Sequence, residues 1–125
     1  MNTSPELSNA STDQAEQVVL CLGKALNDGD FETARSFVHD ELEYLGPFGS
    51  RDGAEAHLQE IERLGLKFDV KKISTVGNDV CALYGITVPG MSCFSVATGE
   101  LFACGSFQIQ DGKVSSLRVH LHRQL

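Results

Sequence analysis

Apolar residues recur at helical spacing over the first half of the chain and at strand spacing over the second. Ala15, Val18, Val19, Leu22 and Leu26 fall at i, i+3, i+4, i+7 and i+11, one face of a helix that runs to about Asn27. Asp13 followed by Glu16 has capping-box spacing and marks its start. Asn27-Asp28-Gly29 ends it, and Asp30 can cap a short second helix in which Phe31, Ala34, Phe37 and Val38 share a face. Glu41–Tyr44 alternates as a half-buried strand does, and Gly46-Pro47-Phe48-Gly49 breaks it. Asp52 with Glu55 repeats the capping-box spacing before a third stripe of Ala54, His57, Leu58, Ile61 and Leu64, which Gly65 closes.

From Leu66 the period becomes two. Leu66, Phe68 and Val70 alternate with Lys67, Asp69 and Lys71, and Val114–Leu121 alternates again. Val80–Val88 and Leu101–Ile109 are nearly continuous apolar runs, so the pattern does not say which face of Val80–Val88 points inward. Gly77-Asn78, Pro89-Gly90, Thr98-Gly99 and Asp111-Gly112 supply turns, the last a tight hairpin. Helices first and strands after, without a βαβ rhythm, predict an α+β domain with an antiparallel sheet.

The length, 125 residues, fits one domain, read as 13–125 behind a disordered Ser/Thr/Asn-rich tail over 1–12. A net charge of -7 with scattered basic residues argues against a nucleic-acid partner. No signal-like start and no apolar run of membrane length is present, so the expected location is cytoplasmic, with no membrane partner. Cys21, Cys81, Cys93 and Cys104 lack metal-cage spacing and read as reduced, mostly buried residues, with Cys81 and Cys104 as small core fillers. No cofactor or metal motif is found. His120 and His122 share a strand face, but no carboxylate or Cys sits at matching spacing.

Three segments in order, ALNDGDFETARSFVHDELEYLGPFG, SRDGAEAHL and GSFQIQDGKVSSLRVHLH, resemble the nuclear transport factor 2-like superfamily over about residues 13–122. That group includes SnoaL-like polyketide cyclases, ketosteroid isomerases, limonene-epoxide hydrolases and scytalone dehydratases. The resemblance implies a cystatin-like cone: three N-terminal helices on a strongly curved antiparallel sheet, with a pocket between them. It implies pocket-lining roles for Leu22, Tyr44, Gly46, Phe48, His57, Phe68, Gly105, Phe107, Leu117, Val119 and Leu121. Arg118, His120 and His122 would then face the opposite side, where similar proteins form a homodimer.

The same resemblance places the isomerases' donor tyrosine at Leu22, their catalytic aspartate at Gly46 and their second donor, a protonated aspartate, near Gly105. None of these side chains can do that work, so ketosteroid isomerase chemistry is not expected, and the epoxide hydrolases' Arg/Asp arrangement has no evident counterpart. Tyr44 and His57 are the remaining catalytic candidates, one able to donate a hydrogen bond and the other to transfer a proton near neutrality. Asp40 and Glu43 read as solvated, and Arg51 as a surface residue able to meet a carboxylate at the mouth. The expected function is binding of, or action on, a small apolar molecule. The alternative is a non-catalytic dimeric assembly or accessory module.

Overall fold

The apolar stripe of the first helix is buried in full: Ala15, Val18, Val19, Leu22, Ala25 and Leu26 all belong to the core. Burying that stripe needs a sheet, and a computed structural model of the chain, describing residues 3–46, 49–87 and 100–122, supplies one. The order is α1 (Thr3–Asn27), α2 (Phe31–Ser36), β1 (Val38–Gly46), β2 (Gly49–Asp52), α3 (Ala54–Leu64), β3 (Lys67–Val76), β4 (Asp79–Thr87), β5 (Glu100–Gln110) and β6 (Lys113–His122). All nine elements are described ones, and together they form an α+β domain with helices on one face of a single sheet.

The sheet runs β2-β1-β6-β5-β4-β3. It is not antiparallel throughout, as expected, because β1 and β6 pair in parallel, with Tyr44 opposite Leu117. The chain travels from β1 to β6 through β2, α3, β3, β4 and β5, and such a long crossover can bring two strands side by side in the same direction. Register shifts at Val70/Lys72 and Gln108/Ile109 insert bulges, which bend strands and increase twist. Asp111 and Gly112 both have positive φ, 56° and 74°, as the tight β5–β6 hairpin requires.

Four local expectations are corrected. Helical backbone begins at Thr3 rather than Asp13. Pro5 falls in the first turn, where its missing N–H has no acceptor to lose. Asp52 does not cap α3: it lies in β2 opposite Glu43, while Gly53 is the cap residue and the Glu55 carboxylate is drawn instead to Arg35 Nε at 2.8 Å. Val38 opens β1 rather than closing α2. Cys21, Cys81 and Cys104 are exposed rather than buried. Strand alternation explains the last two: Val80, Ala82 and Tyr84 turn inward on β4, and Ala103 and Phe107 on β5, so Cys81 and Cys104 face out. Phe48, Pro89-Gly90, Cys93 and Thr98-Gly99 lie outside the described residues. No helix among the described residues is long and apolar enough to cross a membrane.

Candidate functional site

Between α1, α3 and the inner face of the sheet lies a cavity of about 100 Å³. That is room for several waters rather than one. The helices contribute Val19, Leu22, Gly23 and Leu26 from α1 and His57 and Ile61 from α3. Small residues keep it open. Gly23 sits inside α1, where glycine costs about 1 kcal/mol relative to alanine, and a Cβ there would meet nothing within 4 Å. On the sheet, Ala82 of β4 stands opposite Gly105 of β5.

The walls are apolar apart from three side chains: Tyr44, His57 and Tyr84. No carboxylate, lysine or arginine lines the cavity among the described residues. Tyr44 on β1 and His57 on α3 stack with ring centroids 4.4 Å apart and planes tilted by 35°. His57 is 9% exposed, the buried polar member of an otherwise aliphatic helix face. Tyr84 on β4 meets Phe68 of β3 edge to face at 6.0 Å. Burial pushes the Tyr84 hydroxyl pKa well above the usual tyrosine range, and the nearby Tyr44 adds to the rise. Tyr84 is therefore held as a neutral phenol beyond the pH at which an exposed tyrosine ionises.

Both glycines at which the resemblance places carboxylates are covered by a tyrosine. A Cβ on Gly46 would collide with the Tyr44 ring and hydroxyl. One on Gly105 would lie 2.9 Å from a ring carbon of Tyr84, 3.1 Å from its hydroxyl oxygen and 2.9 Å from a ring carbon of Phe107. Phenols thus occupy the volume beside positions 46 and 105.

Of the expected lining residues, the structure brings Leu22, Tyr44, His57, Phe68, Phe107, Leu117 and Val119 to the cavity. Gly46 and Gly105 lie beneath aromatic rings and are not part of its surface. Leu121 follows the inward frame but is 40% exposed, beyond the wall. Arg118 and His120 are exposed on the outer face, and no group of three or more metal-binding side chains occurs among the described residues. Asp40 pairs with Arg35, and Glu43 is exposed. The Arg51 backbone stands opposite Tyr44 in β2.

Tyr84 and Gly23 were not in the expected set. Tyr84 lies in a run apolar on both faces, and only the pairing of Ala82 with Gly105, two residues away, gives its direction. An unexplained glycine within a helical stripe was the available signal for position 23.

The family model described as a SnoaL-like domain matches residues 22–117. Among solved structures, an NTF2-like protein of unknown function from Cytophaga hutchinsonii shares 29% identity, covering 86% of this chain and 89% of that one, with a TM-score of 0.76. An LEH-like epoxide hydrolase from Mycobacterium tuberculosis shares 23% identity over 89% of this chain and 84% of its own, with a TM-score of 0.72. TerC, crystallised with polyporic acid, shares 16% over 87% and 92%, with a TM-score of 0.71. The last two likenesses are of fold. No curated protein matches the chain.

Proposed function

Because the chain belongs to the SnoaL-like domain family, we propose that it binds a small, uncharged and mostly apolar molecule in the cavity between α1, α3 and the sheet. The observation that carries this reading is a cavity held open by a glycine inside a helix, with walls that are apolar except for Tyr44, His57 and Tyr84. An ionised ligand would lose its hydration with no opposite charge to meet it, which disfavours anions and cations alike. Convergent polar groups in an apolar hollow suit a ligand with one polar end. TerC, similar in fold, was crystallised with polyporic acid, which agrees with small-molecule binding by this fold and not with any particular charge.

Isopropylbenzene is a suitable probe, followed by NMR titration and thermal shift. It should perturb cavity residues saturably and raise the melting temperature of the wild type. Gly23→Leu should abolish both effects while folding at least as stably, because leucine is the better helix former and its side chain enters open space. Benzoate, of equal size but charged, should bind at least about tenfold more weakly. If isopropylbenzene gives the same response in wild type and Gly23→Leu, or none in either, the cavity is not the binding site.

A further inference from the structure

Tyr84 is 6% exposed, and among the described residues its hydroxyl makes no hydrogen bond. Buried polar groups normally have partners, so an unpartnered one needs a reason. No side-chain oxygen or nitrogen sealed from solvent lacks a partner among the described residues. The Tyr84 oxygen is consequently not sealed, and the Tyr84 side chain is part of the cavity wall.

Its direction is fixed from several sides. The Phe68 ring packs edge-on against it at 6.0 Å, and the absent side chain of Gly105 leaves the room its ring needs. Phe68 is itself held by Asn27, whose side-chain amide accepts from the Phe68 N–H at 2.7 Å and donates to its carbonyl at 2.6 Å. A phenol donates strongly and accepts weakly, because its oxygen lone pair is delocalised into the ring.

We propose that Tyr84 is a ligand-binding residue whose hydroxyl donates a hydrogen bond to an acceptor oxygen on the uncharged, otherwise apolar molecule held in the cavity. This rests on the cavity being a binding site. It adds that the site selects for an acceptor, and that β4, rather than positions 22, 46 or 105, supplies the donor. The raised Tyr84 pKa keeps the proton in place for donation.

The test compares acetophenone with isopropylbenzene, which has the same number of non-hydrogen atoms but no acceptor, on wild type and Tyr84→Phe. The preference for acceptor over hydrocarbon should fall by about three- to tenfold in Tyr84→Phe, with isopropylbenzene affinity unchanged. The melting temperature of Tyr84→Phe should equal or exceed that of the wild type, since the hydroxyl supports no contact of the fold. An unchanged preference means the hydroxyl serves only bound water and overturns the assignment while leaving the cavity reading intact. Binding of neither probe overturns both.

Discussion

Two glycines, Gly23 on the cavity wall and Gly105 beneath the aromatic rings that line it, should answer the same substitution with opposite signs. Gly105→Ala places a methyl 2.9 Å from ring carbons of both Tyr84 and Phe107, and overpacking of this kind costs about 1–3 kcal/mol. Gly23→Ala puts its methyl into open space within a helix and should stabilise by about 1 kcal/mol. Urea unfolding should show the midpoint falling in the first and rising in the second, with the slope unchanged. The sequence makes His57 visible because it interrupts an apolar helical stripe, and Tyr44 because it falls on the apolar side of the Glu41–Tyr44 alternation just before the Gly46 break. Tyr84 does not interrupt anything: in VCALYGIT every neighbour is apolar or small, and its orientation becomes legible only when β4 and β5 are paired.

Among the elements, β3 needs particular support, because among the described residues it is a sheet edge and one side of its backbone has no strand partner. Asn27, at the end of α1, supplies the equivalent of one rung by pairing its amide with both backbone groups of Phe68, and Lys67 Nζ donates to the Asn27 carbonyl at 2.8 Å. Asn27→Ala should cost about 1–3 kcal/mol, and hydrogen exchange should show the Phe68 amide losing protection ahead of its neighbours. The helices, β3 and β6 were legible because each carries a period of 3.6 or 2, and β4 and β5 because each is an apolar run between turn signals. β2 was not, since Ser50, Arg51 and Asp52 are polar and follow a Pro/Gly break. The parallel pairing of β1 with β6 was not either, because strand order along the chain does not state strand order in the sheet.

For the molecule as a whole, the buried phenol links stability to alkaline pH. Tyrosine in the unfolded chain titrates near pH 10, whereas Tyr84 in the folded protein holds its proton beyond that. Above about pH 10 the unfolded state therefore binds fewer protons than the native state, and stability falls as pH rises through the folded value. Below the unfolded value this contribution is present in full. Unfolding free energies measured from about pH 8 to 11 should decline over the upper part of that range, and Tyr84→Phe should lessen the decline. The β1–β6 junction has a different consequence, one of timing. During synthesis β1 emerges long before the strand that completes it, so Leu42 and Val38, among the most deeply buried side chains, wait with their sheet partner still unmade. A topology of this kind has high contact order and folds late. A chain interrupted after Ile109 would keep β3, β4 and β5 as a meander, yet leave β1 and β2 with nothing to join.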